Sequence, residues 1–194
     1  MAASPGDPVP EVPDDELVRR VAAGEPAAAR TVAVRHLDRV VGLAARMLGD
    51  RTEAEDVAQE SFLRFWREAP AWRTGTPVGP WLYRVAHNLC VDRLRRRRFQ
   101  GDPPSPDLPD AGPGPLQQVQ QGQAAAVIRG ELDRLPERQR TAITLVHQLD
   151  LGNIAAADIM GVSVDALESL LARGRRTLRK RLSDRRIDLM GEPG

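Results

Sequence analysis

The sequence predicts an all-α protein built from two small helical domains joined by a flexible, Pro- and Gly-rich linker. Apolar residues recur at spacings of three and four over long stretches of both halves, which is the helical period. The alternation of apolar and polar residues that is typical of β-strands is absent. Between Gln100 and about Gly122 the composition changes to Pro, Gly, Asp and Gln, which interrupts any helix. We therefore predict a disordered tail, a first domain, a linker, a second domain and a C-terminal tail over residues 1–13, 14–98, 99–123, 124–183 and 184–194.

Composition limits the possible classes of protein. The chain has 194 residues, of which 41% are hydrophobic and 28% charged, so it can bury a core. It has no apolar stretch of the roughly 18 residues needed for a membrane span, and its N-terminus lacks export features. We expect a cytoplasmic protein without membrane insertion. Cys90 is the single cysteine, which excludes an intrachain disulfide.

The first two helices have recognisable ends. We expect the first to begin with Asp14 or Asp15 as an acidic N-cap and to end near Gly24. Pro26 suits the first turn of the second helix, which should end at Gly49.

The third and fourth helices flank a loop from Pro70 to Pro80 that contains Trp72. Thr52 and Glu55 form a capping-box pattern for the third helix, which should continue to about Glu68. The fourth helix is expected to run from Trp81 into an arginine-rich run.

Positive charge is concentrated at two places, although the net charge is only +1. Residues 91–98 carry five Arg and one Asp, and residues 173–194 carry eight basic and three acidic groups. Each run ends a helical pattern, as phosphate-contacting surfaces do. A single run is more often a solvated helix end, and the presence of two runs in two domains strengthens the case for phosphate contact.

Residues 152–171 have the pattern of a helix-turn-helix. Ala157 supplies a small residue where the two helices touch, and Gly161 a residue for the left-handed turn. Ser163 can cap the second helix, which we expect to begin near Val164. The expected apolar contacts are Ile154, Met160, Val162, Leu167 and Leu170. With the basic run behind it, this pattern favours DNA binding over an ordinary helical hairpin.

The third and fourth helices offer further surfaces. The third should place a mixed stripe of acidic, amide and apolar residues opposite its core face, suited to a protein partner or simply to solvent. The fourth follows Trp72 and Trp81 and carries Arg84 and Asn88. Aromatic rings beside cations are typical of single-stranded nucleic-acid binding, although both rings also suit core anchors.

Residue patterns that indicate catalysis or metal binding are nearly absent from the sequence. His36, His87 and His147 fall in different helices without metal-ligand spacing, and no phosphate loop or nucleophile motif occurs. We expect no enzymatic activity, no metal and no cofactor.

Taken in order, these motifs resemble the extracytoplasmic-function (group IV) sigma factors of the sigma-70 family. Residues 48–66 (LGDRTEAEDVAQESFLRFW) look like the family's region 2.1 to 2.2, and residues 81–92 (WLYRVAHNLCVD) like regions 2.3 to 2.4. Residues 135–140 (LPERQR), followed by the helix-turn-helix, look like domain 4. The resemblance implies an alternative sigma factor with core RNA polymerase, promoter DNA and an anti-sigma factor as partners.

The resemblance also implies three groups of site residues. The polymerase-binding group would be Asp56, Gln59, Glu60 and Leu63. The group for the melted minus-ten element would be Trp72, Arg73, Trp81, Arg84, Asn88, Asp92, Arg95 and Arg96. The group for the duplex minus-thirty-five element would be Ser163, Asp165, Ala166, Glu168, Ser169, Arg173, Arg175 and Arg176.

Some positions depart from the family pattern. Asn153 stands where domain 4 often has Glu, and Asp92 where an amide would be a better donor to a base. Asp165 and Glu168 repel phosphate, although Glu168 can accept a hydrogen bond from cytosine or orient a neighbouring Arg. The alternative function is a stand-alone helix-turn-helix regulator, against which the lack of an evident dimerisation helix counts.

Overall fold

The computed structural model describes residues 12–100 and 127–190, and every regular element in these ranges is helical. The predicted fold class is confirmed. The predicted N-terminal tail lies almost entirely outside the described residues, as do most of the predicted linker and the last residues of the C-terminal tail.

Eight helices make up two units. The N-terminal unit contains α1 (Asp14–Ala22), α2 (Pro26–Leu48), α3 (Arg51–Glu68) and α4 (Val78–Gln100). The C-terminal unit contains α5 (127–133), α6 (Glu137–Ile143), α7 (Asn153–Met160) and α8 (Val164–Met190). A short 3₁₀ turn (Ala69–Ala71) follows α3, and a π-helical turn (Thr144–Gln148) continues α6.

The ends of α2 follow directly from its sequence. Pro26 occupies the first turn, where its missing N–H is not needed, as predicted. Gly49 ends the helix in the left-handed conformation, with a φ of 68°, and donates its N–H to the Ala45 carbonyl. The first helix differs slightly from expectation, because Pro13 precedes it and neither Asp14 nor Asp15 caps it through its side chain.

The predicted capping box of α3 is wrong. The helix begins two residues earlier than that box requires, and Asp50 is its N-cap. The Asp50 carboxylate accepts a hydrogen bond from the Glu53 backbone N–H at 2.9 Å. An aspartate at this position has the same effect as the predicted Thr52, because either oxygen can satisfy a free N–H of the first turn.

The core of the N-terminal unit is formed where α2 packs against α1, α3 and α4. Val32, Val40 and Leu43 of α2 are fully buried, as is Phe65 of α3. The Phe65 ring contacts Trp72 and Trp81 edge-on, with centroid distances of 5.2 and 6.2 Å. These contacts fix the start of α4 against α3.

In the C-terminal unit, α6 packs against α8 at a glycine. A Cβ on Gly174 would lie 2.7 Å from the Ile143 Cδ1, so α8 passes close to α6 at this point. The α6 helix widens after Ile143 into the π-helical turn, in which the Leu149 N–H donates to the Thr144 carbonyl. The helical segment from Glu137 to Gln148 is therefore divided into two types of turn.

The two units are in contact with each other. α4 packs against α7, and α2 packs against α6. None of the described helices is both long and apolar enough to cross a membrane.

The N-cap assignment predicts a stability difference between two neighbouring substitutions. Asp50→Ala should lower the free energy of unfolding of the N-terminal unit by about 1 kcal/mol, because it leaves the Glu53 N–H without its acceptor. Thr52→Ala is the matched control and should change it by less than about 0.5 kcal/mol, because Thr52 is exposed. Urea unfolding followed by tryptophan fluorescence measures this unit alone, since Trp66, Trp72 and Trp81 all belong to it. Equal losses in the two variants would contradict the assignment.

Burial predicts that Cys90 is chemically inert in the native protein. Its thiol is fully buried in α4, and burial raises its pKa to about 12. At pH 8 the thiolate that reacts with disulfide reagents should therefore be scarce, and access is blocked as well. A thiol reagent should label native protein at least about a hundredfold more slowly than protein in urea. Rapid labelling of native protein would contradict this burial.

Candidate functional site

The stripe predicted on α3 is exposed. Asp56, Gln59 and Leu63 are exposed and Glu60 is half-buried, whereas the opposite face of the helix is in the core, as predicted. Leu63 leaves 37% of its surface exposed, and Trp66 beside it leaves 40%. Trp66 is a residue that sequence reasoning did not single out. Together these side chains form a surface with an apolar centre and acidic or amide edges, which is typical of protein interfaces.

Cations from neighbouring turns hold the acidic groups of this stripe. The Arg64 guanidinium donates to Glu60 at 2.8 Å, and this hydrogen bond lowers the pKa of the Glu60 carboxyl. Asp56 lies 3.9 Å from the Arg93 guanidinium of α4. The Glu60 carboxyl is therefore ionised at neutral pH, and the contact between Asp56 and Arg93 ties the stripe to α4.

The arginine run at the end of α4 has two different roles. Arg93 and Arg97 point inward, where Arg93 donates to the Glu53 carbonyl at 3.0 Å and Arg97 to the Leu48 carbonyl at 3.0 Å. Arg97 also pairs with the Glu53 carboxylate. These two cations stabilise the junction of α2 and α3.

Two other arginines of the same run point outward. Arg95 and Arg96 are exposed, and Arg95 lies 5.9 Å from the Phe99 ring centroid. Of the five arginines in residues 91–98, these two are the ones with described, exposed side chains. Both belong to the group predicted to contact the melted minus-ten element, and that role stays a prediction.

The loop before α4 is held by Trp72, which lies in the loop, and by Trp81 in the first turn of α4. The rings of Trp72 and Trp81 are half-buried and meet edge-on at 5.2 Å. The Trp72 indole N–H donates to the Thr76 carbonyl at 3.2 Å, and the Gly75 N–H donates to Asp15 of α1 at 3.1 Å. Both rings therefore support the loop, and Arg73 is exposed at its tip.

The remaining minus-ten candidates lie along α4. Arg84, Asn88 and Asp92 are exposed at spacings of four, so they form one stripe on the helix. The Arg84 guanidinium forms an ion pair with Asp158 of α7. Asn88 lies beside His87, whose buried ring has a lowered pKa because burial disfavours its charged form.

The helix-turn-helix has the predicted geometry. Gly161 is left-handed with a φ of 61°, and the Val162 N–H donates to the Ala157 carbonyl at 3.0 Å. The Ser163 hydroxyl accepts from the Ala166 N–H at 3.2 Å, which confirms it as the N-cap of α8. The apolar contacts differ at one position: Ile154 is 79% exposed, and Ile159 is the isoleucine that packs in the core.

The outer face of α8 carries all the minus-thirty-five candidates, and every one is exposed: Ser163, Asp165, Ala166, Glu168, Ser169, Arg173, Arg175 and Arg176. Glu168 is not isolated, because the Asn153 side-chain amide donates to its carboxylate at 3.2 Å. This hydrogen bond crosses from the start of α7 to α8 and fixes one orientation of Glu168.

A buried acid in the C-terminal unit was not predicted. Glu131 of α5 is 2% exposed and accepts a hydrogen bond from Arg134 at 3.0 Å. Its second oxygen lies 3.9 Å from the Arg181 guanidinium of α8. Because a buried carboxylate is stable only with such partners, this group anchors the basic part of α8. In the sequence, Glu131 is a charged residue among the apolar positions of a predicted helix, and this pattern could have indicated its burial.

The described part of the chain holds no candidate metal centre. Within residues 12–100 and 127–190, no three His, Cys, Asp or Glu side chains come together in a group that would hold a metal ion.

Comparison with known proteins agrees with the arrangement of the two units. Residues 32–100 match the family profile of sigma-70 region 2, and residues 126–178 match that of sigma-70 region 4. The ECF RNA polymerase sigma factor SigE of Mycolicibacterium smegmatis is 35% identical over 76% of this chain, which spans 59% of that relative's length. The ECF RNA polymerase sigma factor SigM of Mycobacterium tuberculosis is 32% identical over 87% of this chain and 84% of the relative.

A solved structure shares the fold. The sigma factor RpoE from Bartonella quintana, crystallised with the anti-sigma factor NepR, superposes with a TM-score of 0.65 at 22% identity. The match covers 79% of this chain and 96% of RpoE. With both regions matched in order and a relative 32% identical over most of its length, this chain belongs to the extracytoplasmic-function sigma factors of the sigma-70 family.

Proposed function

We propose that this protein binds core RNA polymerase and directs it to promoters through two separate DNA-contacting surfaces, one for melted and one for duplex DNA. It would act in the cytoplasm, without catalysing a reaction and without a cofactor. The observation that carries the proposal is that one chain exposes three chemically different surfaces on three helices, α3, α4 and α8. A stand-alone helix-turn-helix regulator needs only the surface on α8.

The polymerase contact is assigned to the α3 stripe of Asp56, Gln59, Glu60 and Leu63. Its apolar centre is extended by Trp66, and the fraction of Leu63 and Trp66 that is exposed would be buried in the complex. Aromatic side chains at the centre of an interface contribute much of its binding energy. The acidic edges make contact with DNA unfavourable, which favours a protein partner.

The melted minus-ten strand is assigned to the loop tip and to the outer stripe of α4. Arg73, Arg84, Arg95 and Arg96 supply exposed cations for phosphates, and Asn88 supplies an amide for a base edge. The half-buried rings of Trp72 and Trp81 act mainly by holding the loop in place, because their faces already contact each other and Phe65. Asp92 would contribute only as an acceptor.

The duplex minus-thirty-five element is assigned to α8. Its N-terminal turns would enter the major groove, with Asp165, Ala166, Glu168 and Ser169 towards the bases. Ser163 caps this helix at the same end, while Arg173, Arg175 and Arg176 would contact phosphates. The hydrogen bond from Asn153 supports base reading by Glu168, because a fixed carboxylate accepts from a cytosine amino group at a smaller loss of side-chain entropy.

Control by an anti-sigma factor is proposed by analogy with relatives. The Bartonella quintana sigma factor RpoE, which shares this fold, was crystallised with the anti-sigma factor NepR. An inhibitor of this kind would bind surfaces that polymerase and DNA also need. Co-purification from the native organism tests this control independently of promoter recognition.

Removal of charge from the α3 stripe should impair transcription. Asp56→Ala plus Glu60→Ala is expected to lower specific run-off transcription with core polymerase by roughly tenfold or more, because contacts at the centre of an interface dominate affinity. Asp38→Ala plus Glu55→Ala is the matched control, since it removes two exposed carboxylates of α2 and α3 outside the stripe. The measurement is the yield of specific run-off products from a genomic promoter pool. Urea unfolding followed by tryptophan fluorescence must show the same stability in every variant.

The outcome of that experiment separates the two functions. Transcription from specific start sites that requires the protein, and that decreases only in the Asp56→Ala plus Glu60→Ala variant, supports the proposal. If core polymerase stays silent while the isolated protein retains specific duplex fragments, the stand-alone regulator is the correct function and the sigma role fails.

Glu168 should discriminate between bases. Glu168→Gln is expected to reduce the preference of the holoenzyme at one position of the minus-thirty-five element by roughly fivefold or more, the lower range for a base contact. Asn153→Ala should reduce the same preference by a smaller factor, because it frees the carboxylate without removing it. Asp184→Asn removes an acid further along α8 and controls for charge. The measurement is selection of bound sequences from a promoter library randomised at that element. A uniform change in affinity for all sequences would show that Glu168 does not read a base.

A further inference from the structure

The loop before α4 is tied to the first helix of the protein by one hydrogen bond. Residues Arg73 to Thr76 form a turn at the tip of this loop, in which the Thr76 N–H donates to the Arg73 carbonyl at 3.1 Å. Gly75, the third residue of the turn, is left-handed with a φ of 82°, and its N–H donates to the Asp15 carboxylate of α1 at 3.1 Å. Beyond its chain neighbours, a Cβ at Gly75 would have no atom of the described residues within 4 Å. Packing therefore does not hold Gly75, whereas the Asp15 carboxylate does.

The two ends of the loop are held by aromatic and imidazole rings. At the start, the Trp72 ring contacts Phe65 edge-on at 5.2 Å, and its indole N–H donates to the Thr76 carbonyl at 3.2 Å. At the end, Gly79 lies against His36 of α2, because a Cβ on Gly79 would be 3.3 Å from the His36 Cε1. Three points are needed to fix the orientation of the turn between these ends, and the hydrogen bond to α1 supplies the third.

Helix α1 is itself firmly attached, so Asp15 gives the loop a fixed reference. Leu17 and Val18 of α1 are buried, and the helix packs against α2 and against the 3₁₀ turn after α3. The Asp14 carboxylate accepts a hydrogen bond from the Arg35 guanidinium of α2 at 2.9 Å. Two adjacent aspartates thus attach α1 in two directions, Asp14 to α2 and Asp15 to the loop.

The charge of Asp15 separates a positioning role from an inhibitory one. Arg73 is exposed at the first position of the turn, and Asp15 is half-buried beside the third. A carboxylate near a DNA-contacting loop repels phosphate, so by charge alone its loss should strengthen binding. A carboxylate that orients the turn has the opposite effect, because its loss leaves the turn free to adopt several orientations, and ordering them again upon binding costs free energy. Removal of the Asp15 carboxylate therefore distinguishes the two roles by sign.

We propose that Asp15 is a positioning residue for the minus-ten loop, in that it orients the turn from Arg73 to Thr76 so that Arg73 meets a phosphate of the melted strand. The proposal rests on the proposed function, because that function gives the loop a DNA strand to bind. Helix α1 belongs to none of the three proposed surfaces, and it acts on promoter recognition through the loop without itself contacting DNA.

Amide hydrogen exchange in the free, full-length chain tests the contact itself. The Gly75 amide should exchange roughly fivefold faster in Asp15→Ala, because this variant removes the acceptor. Asp15→Asn keeps an acceptor oxygen and should stay within about twofold of the wild-type rate. Glu16→Ala is the matched control, since it removes a neighbouring carboxylate that accepts from Arg20 of the same helix. NMR measures the exchange rate of the Gly75 amide separately from those of its neighbours.

Run-off transcription by the reconstituted holoenzyme measures the effect on DNA. Asp15→Ala should lower the yield of specific products roughly fivefold at limiting holoenzyme, because one hydrogen bond no longer orients the loop. Asp15→Asn and Glu16→Ala should stay within about twofold of wild type. In an Arg73→Ala background, Asp15→Ala should change the yield by less than about twofold, because the residue that it positions is gone. A merely structural role of Asp15 would lower the yield equally in both backgrounds.

The outcomes separate this role from the proposed function. With a wild-type chain that transcribes, the role of Asp15 is overturned by an unchanged Gly75 exchange rate in Asp15→Ala, by a higher transcript yield in that variant, or by equal losses in both backgrounds. Absence of specific transcription by the wild-type holoenzyme rejects the proposed function and the DNA role of the loop together. The exchange rates need neither polymerase nor promoter, so in that case they still show whether Asp15 holds the turn.

Discussion

The edge-on contact of Phe65 with Trp72 and Trp81 fixes the geometry on which the N-terminal unit depends. It joins the last turn of α3, the loop and the first turn of α4 through three aromatic rings, each within 6.2 Å of another. Such pairs add about 0.5–1.5 kcal/mol each beyond the area that they bury. Because α3 presents one exposed surface and α4 another, this cluster sets the angle between the surface proposed for polymerase and the surface proposed for DNA. Arg93 and Arg97 hold the other end of α4 to the start of α3, so both ends of the helix are attached to the same neighbour.

Helices and their buried faces could be predicted from the sequence because both follow from periodicity. The core face of α3 and the turn at Gly161 are confirmed for this reason. The N-cap of α3 was wrong because Asp50 and Thr52 offer equivalent oxygens two residues apart, and only the path of the chain after Gly49 decides between them. Ile154 and Ile159 likewise both fit an apolar pattern, yet α7 is only eight residues long and turns one of them outward. In a helix as short as α7, periodicity alone does not decide which of two apolar residues is buried.

The role of each charged side chain was the property that the sequence predicted least well, because it depends on which residues lie beside that side chain in the folded protein. The arginine run of α4 looked uniform in sequence, yet Arg93 and Arg97 bind carbonyl oxygens within the unit while Arg95 and Arg96 remain exposed. Among the acids, Glu131 is buried between two arginines, whereas Glu168 is exposed and held by Asn153. Local sequence does not distinguish these cases, because each partner lies on another turn or another helix. The residues left without such partners are the ones available to a ligand.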